Sequence, residues 1–117
     1  MSGARSFHAG LAAEAAVARH YENRGRVITA TRWRSDAGEI DLIARDGAEV
    51  IFIEVKQSRS HADAAEHLSA RQMARLYASA SVFLADEPAG QDTPARFDVA
   101  LVDGQGRIEI IENAFAA

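Results

Sequence analysis

The chain has 117 residues, 48% of them apolar, and a formal net charge of −4. That length suits a single domain over residues 1–117, with enough apolar content for a core that needs no staples. The absence of cysteine excludes a disulfide framework and thiolate chemistry, and the acidic balance does not advertise a nucleic-acid binder.

The opening "MSGARSFHAGLAAEAAVARHY" is not expected to be a secretory signal, because Glu14 interrupts its only apolar run. No stretch approaches the ~18–20 apolar residues of a membrane span. A soluble cytoplasmic protein with no membrane partner is the expectation. A first helix is predicted from about Ser6 to Arg24, stopped by Gly25. Its apolar stripe reads Phe7, Leu11, Ala18 and Tyr21. Glu14 occupies the position missing from that stripe, on the core-facing side, where a carboxylate is costly unless it has a partner.

"VITATRW" reads as a strand, "RSDAG" as a turn, and "EIDLIA" and "EVIFIEVK" as two more strands joined at Asp46-Gly47. "SRSHADAAEH" reads as a loop with a helical turn. Ser69 then opens a capping box with Gln72. The helix it starts runs to about Ala85 and turns Met73, Leu76, Tyr77, Ala80, Phe83 and Leu84 inward. "DEPAGQDTPA" is a loop, and "RFDVALVD" and "RIEIIE" form a second hairpin around "GQ". The order is α-β-β-β-α-β-β, and one mixed sheet flanked by helices is its natural closure.

The first hairpin poses the functional question. With Asp46-Gly47 as a two-residue turn, Arg45 pairs with Ala48, Asp41 faces Phe52, and Glu39 faces Glu54. Period-two alternation then puts Glu39, Asp41, Phe52, Glu54 and Lys56 on one face. Ile40, Leu42, Ile51, Ile53 and Val55 share the other, which must be core. Opposed carboxylates destabilise a sheet and need a cation. Lys56 is one. Mg²⁺ (or Mn²⁺), held by Asp41 and Glu54, is a better one, since hard oxygen ligands suit it. The plainer reading is a solvated sheet face with a Glu–Lys pair. Phe52 on the same face and Glu14 on a nearby helix weigh against it. Such a face supports metal-assisted hydrolysis of a phosphodiester. The ion would lower the pKa of a water, and Lys56 would orient or deprotonate that water or stabilise developing charge. Glu14 is left for a second ion or its water.

At these residues a family resemblance appears. Asp41, a hairpin, then "EVK" at Glu54–Lys56 resembles the PD-(D/E)xK restriction-endonuclease-like superfamily. The chain is more closely similar to one branch, the YraN-like family of small bacterial proteins. The matching pieces are "GLAAE" (Gly10–Glu14), "GEIDLIA" (Gly38–Ala44), "FIEVK" (Phe52–Lys56), "RFDV" (Arg96–Val99) and "ENAF" (Glu112–Phe115). The resemblance implies a restriction-endonuclease-like α/β fold with a central mixed sheet. It implies Asp41, Glu54 and Lys56 as the catalytic set, with Glu14 as the helix-borne acid. Glu39 belongs to the motif without a clear role. This chain departs from the family pattern at three places. Ala13 stands where a Gly is usual, Ser58 (with Arg59 beside it) where an Arg is usual, and Arg71 where a Lys usually opens the second helix.

Charge is unevenly spread. Residues 1–35 carry six arginines against Glu14 and Glu22, a sum of +4, and residues 36–117 sum to −8. A basic rim beside an acidic site is the sharper reading of this, with Arg32, Arg34, Arg59 and Arg71 as nucleic-acid contacts. DNA is favoured as the partner, and a chain this small would need a homodimer to span a branched junction. The alternative is a non-catalytic nucleic-acid-binding or scaffolding module that keeps the fold. His8, His20, His61 and His67 have no zinc-like spacing and read as structural or surface residues. Trp33 and Tyr21 read as core before base-stacking groups, and Arg96 and Asp98 as structural residues on a strand's outer face before an ion pair near the site. "GQG" (Gly104–Gly106) is a hairpin turn and not a phosphate loop, since no helix follows it.

Overall fold

The computed structural model describes residues 3–60 and 69–115, with side chains from Gly10 onward. The side chains of Phe7 and His8, and the loop around His61 and His67, therefore lie outside the described part. Helix α1 spans Gly3–Glu22. It unwinds through Gly25, whose φ of +84° favours glycine. Gly25 N donates to Glu22 O and Arg26 N to Tyr21 O, satisfying carbonyls that the helix end would leave orphaned.

Strands β1 (Val27–Ser35), β2 (Gly38–Asp46) and β3 (Glu49–Gln57) follow. Helix α2 (Ala70–Leu84) then leads through a short 3₁₀ turn at Gly90–Asp92 to β4 (Ala95–Val102) and β5 (Ile108–Ile111). The sheet order is β1-β2-β3-β4-β5. β3 and β4 are parallel, and the other neighbours are antiparallel. This is the expected restriction-endonuclease-like α/β fold with a mixed central sheet. A parallel pair needs a crossover, and the segment containing α2 supplies it.

Both faces of the sheet are core. Under α1 lie Val17, Tyr21, Leu42, Ala44, Ile51 and Ile53. Under α2 lie Ile40, Ile43, Val50, Phe52, Leu76, Ala80 and Leu84. β3 sits at the centre, so Val50, Ile51, Phe52 and Ile53 are buried whichever way they point. That explains a continuous apolar run where a one-sided strand would alternate.

Two packing expectations are corrected. The buried stripe of α1 is Ala13, Val17 and Tyr21, while Leu11 and Ala18 are only half-buried. Glu14 therefore flanks the buried face and does not sit in its middle. On α2, Ser79 joins Leu76, Ala80 and Leu84 inside, whereas Tyr77 is 44% exposed. Its ring leans on Phe97, with centroids 4.7 Å apart, and its hydroxyl donates to the Phe115 carbonyl at 2.8 Å.

Asp98 is a buried hub and not an outer-face residue. It is 1% exposed and accepts from Tyr21 Oη (2.8 Å), Arg96 Nε (3.0 Å), Arg96 Nη2 (3.2 Å) and Asn113 N (3.0 Å). It thereby ties α1, β4 and the chain after β5 together. The outer-face placement expected for Arg96 and Asp98 is thus corrected to a buried ion pair, and "GQG" is a turn, closed by Asp103 Oδ1 accepting from Gln105 N and Arg107 N.

Candidate active site

The β2–β3 turn differs from the expected one. Asp46 pairs with Glu49 and Arg45 with Val50, so Gly47-Ala48 forms the two-residue turn. Gly47 has φ +61°, and Ala48 is not among the residues with positive φ, the sign pattern of a type II′ turn with glycine first. Asp46 stays in the strand, its Oδ2 3.3 Å from Arg26 Nε. The register is thus two residues away from the expected one. A two-residue slip keeps every side chain on its face, so Glu54 stays on the α2 face with Phe52. It also moves Asp41 away from Phe52 and toward Glu54, and Glu39 no longer faces Glu54.

Regular pairing ends at Leu42–Ile53. One step on, the Asp41 carboxylate replaces a ladder carbonyl: its Oδ2 accepts from Val55 N at 2.8 Å. Here alternation breaks too. Ile40 packs under α2 and Leu42 under α1, against the expectation that they share a face. The neighbouring strand kinks at the same level, where Arg32 lies between Thr31 (opposite Leu42) and Trp33 (opposite Ile40) and adopts φ +50°. A non-glycine residue there costs about 1–2 kcal/mol. An ion pair helps hold it, Arg32 Nε to Glu14 Oε1 at 3.1 Å.

Glu54 is buried and hydrogen-bonded to Asp41. Burial first, then that hydrogen bond and the Asp41 charge, push its carboxyl up to about 9, with Lys56 opposing and Glu39 adding. Glu54 is therefore biased toward its protonated form near neutrality in the metal-free protein. Lys56 Nζ is 3.9 Å from Glu54 Oε1, and the lysine side chain is 17% exposed. The Asp41–Glu54 pair opens into a cleft of about 420 Å³. One wall is the hairpin, with Gly38, Glu39, Asp41 and Glu54; the other is α2, with Ser69, Gln72, Arg75 and Leu76. Gly38 (φ +144°) lets α2 approach, since a Cβ there would lie 3.0 Å from Ser79 Oγ.

The remaining expected site residues are dispersed around this cleft. Glu14 borders a separate depression with Leu11, Ala18, Thr31, Arg32 and Leu42. Desolvation is the main cause that raises its pKa, and the Asp41 charge contributes, so the two carboxylates are in electrostatic reach. Glu39 is 41% exposed and 3.5 Å from Arg34. Arg32 and Arg34 thus each already face a carboxylate. Arg59 and Arg71 are exposed, and neither lines the cleft. Trp33 packs edge-on against Phe83 in the core. Sequence reasoning did not single out Arg75 or the cleft side of Gln72. Their i, i+3 spacing on α2 is the available signal.

A metal suits the donor set at Asp41 and Glu54. Burial and the neighbouring Asp41 penalise the charged form of Glu54, and a cation between the two carboxyl groups would relieve that penalty. Mg²⁺ typically takes one or two protein carboxylates and keeps several waters. Among the described residues no group of three or more His, Cys, Asp and Glu side chains gathers around a point that could hold an ion, so a two-carboxylate site is the richest this geometry offers.

The fold, with Asp41 and Glu54–Lys56 on adjacent strands, defines a protein of the restriction-endonuclease-like class. Comparison with known proteins gives the family: residues 13–102 match the model of the "Uncharacterised protein family UPF0102", the YraN-like family of the sequence resemblance. The chain belongs to the UPF0102 family. It is 72% identical to a UPF0102 protein of Cereibacter sphaeroides over the full length of both. It is 65% identical to one of Ruegeria pomeroyi, over 97% of this chain and 92% of that one. With a UPF0102 protein of Dinoroseobacter shibae it shares 44% identity over 95% and 83%. Among the described residues no helix is long and apolar enough to cross a membrane.

Proposed function

We propose that this protein is a metal-dependent nuclease that hydrolyses phosphodiester bonds, with DNA as the favoured substrate and Mg²⁺ (or Mn²⁺) as its cofactor. The observation that carries this reading is the meeting of Asp41 and Glu54, from adjacent strands, in one open cleft, with the Asp41 carboxylate 2.8 Å from the Val55 amide and Lys56 3.9 Å from Glu54. Asp41 and Glu54 would hold the ion. When bound, it supplies Lewis acidity toward water and phosphate oxygens. The Val55 amide fixes the Asp41 carboxylate, so one ligand is pre-set by the backbone. Deprotonated Glu54 would complete the pair. Lys56 presents its ammonium beside them and stabilises charge developing on the phosphate. Glu14, held by Arg32, raises the negative potential behind Asp41.

The test combines metal binding with turnover. Mn²⁺ titration followed by water-proton relaxation should give saturable binding that Asp41→Asn and Glu54→Gln each weaken more than tenfold. Labelled DNA and RNA, in single-stranded, duplex and branched forms, should include a substrate cleaved in Mg²⁺ and untouched in EDTA. Binding of nucleic acid without metal-dependent cleavage of any form would refute the nuclease reading and favour a non-catalytic binding module.

A further inference from the structure

We propose that Arg75, assisted by Gln72, is the phosphate-holding group of the cleft, gripping the backbone of a nucleic-acid strand laid between the β2–β3 hairpin and α2. The inference rests on the nuclease reading above and adds to it the residue that fixes the strand.

Arg75 is the one cation among the described residues lining this cleft, which it shares with Glu39, Asp41 and Glu54. No carboxylate of the described residues pairs with it. Other arginines of this acid-rich chain have found one: Arg32 sits on Glu14, Arg34 on Glu39, Arg45 on Glu87, and Arg96 on Asp98. Arg75 is exposed and projects from the wall opposite the Asp41–Glu54 pair. Its planar fork of five donors matches two phosphate oxygens at once. Gln72, one turn earlier on the same helix face and half-buried, adds an amide donor at the same wall.

The arrangement also solves an electrostatic problem. Acidic side chains, Glu39, Asp41 and Glu54, line the cleft, and without a cation their charge repels a polyanion. Lys56 is committed to Glu54. A cation on the opposite wall, not neutralised by any of the three, draws a phosphate in from that side. A cleft of about 420 Å³ has room for a phosphodiester with its sugars. The ligand held at Arg75 is one strand's backbone, read through phosphate and not through base edges.

The experiment is fluorescence anisotropy of a labelled single-stranded oligonucleotide in Ca²⁺ at several salt concentrations, with cleavage followed in Mg²⁺. Arg75→Ala should weaken binding at least tenfold and flatten the salt dependence by about one unit of slope. It should raise KM more than it lowers kcat. Arg75→Lys should recover part of the affinity, since charge remains and the fork does not. Arg107→Ala, on the distant β4–β5 turn, should match the wild type. If the wild type binds and cleaves while Arg75→Ala keeps its affinity and slope, this inference fails and the nuclease reading stands. If the wild type cleaves nothing in either divalent metal, the nuclease reading fails and takes this inference with it.

Discussion

Replacing Glu54 by glutamine should flatten the dependence of stability on pH. In the folded metal-free protein, burial and then the hydrogen bond to Asp41 raise the Glu54 carboxyl to about 9 from an ordinary value of 4.5. Between those values the folded chain keeps a proton that the unfolded chain has released. The stabilisation is complete below the unfolded value and drains away as pH rises toward about 9. The slope is about 1.4 kcal/mol per pH unit, so roughly 3 kcal/mol is lost between about pH 6 and about pH 8. In a chain of this size that lowers Tm by roughly 10 °C. Glutamine is neutral throughout and retains a donor for Asp41. Glu14 is shifted in the same direction, so the difference between wild type and Glu54→Gln isolates Glu54. Circular-dichroism melts in EDTA across this range read it directly. Parallel profiles for the two proteins would refute the raised Glu54 carboxyl and, with it, the electrostatic case for a metal.

Lys56→Ala should abolish cleavage while changing oligonucleotide affinity by no more than a few-fold, because its charge acts on the transition state; steady-state kinetics and anisotropy separate the two. Asp98→Ala should cost roughly 3–5 kcal/mol in urea unfolding, since it leaves the Arg96 guanidinium without its buried counter-charge. Gly38→Ala should destabilise by about 1–3 kcal/mol through its positive φ and its clash with Ser79 Oγ. Ser79→Ala alone should be neutral or stabilising, because that buried hydroxyl has no hydrogen-bond partner among the described residues, and in the double variant it should restore part of the Gly38→Ala loss.

The strands were legible because their chemistry is local. "EVIFIEVK" is apolar and β-branched, Gly25 ends α1, and Ser69 Oγ caps α2 by accepting from Gln72 N. The turn was legible as a turn but not in register: Asp-Gly and Gly-Ala are both workable central pairs, and the choice rests on backbone signs at Gly47 and on Asp46 reaching Arg26. The shared face of Asp41 and Glu54 survived the error because the slip was even. The α1 stripe misled because bulk was taken as burial. In an alanine-rich helix it is small Ala13 and Val17 that let the sheet come close, and Glu14 then falls to the edge. Ile40 was misplaced because the kink at Arg32 and Asp41 reverses the alternation, and no periodic pattern marks a residue held at positive φ by an ion pair. Arg75 was invisible for a different reason. An exposed arginine on a helix has no local signature until the crossover brings that helix over the hairpin.

The parallel pairing of β3 with β4 has a consequence for how the protein is born. β1, β2 and β3 can assemble as soon as they are made, through short turns and local contacts. The far edge of β3 stays bare until β4 arrives, since Val50 pairs with Ala95 and Gln57 with Val102. During synthesis an apolar strand is therefore left without a neighbour on one side across the whole passage of α2, and such an edge invites foreign strands. Non-local parallel pairing is also slow. Glu54 and Lys56 lie on this strand, opposite Val99 and Leu101, so their surroundings are completed only by the last third of the chain. An emerging polypeptide therefore carries an incomplete Glu54–Lys56 strand environment until its fold is closed.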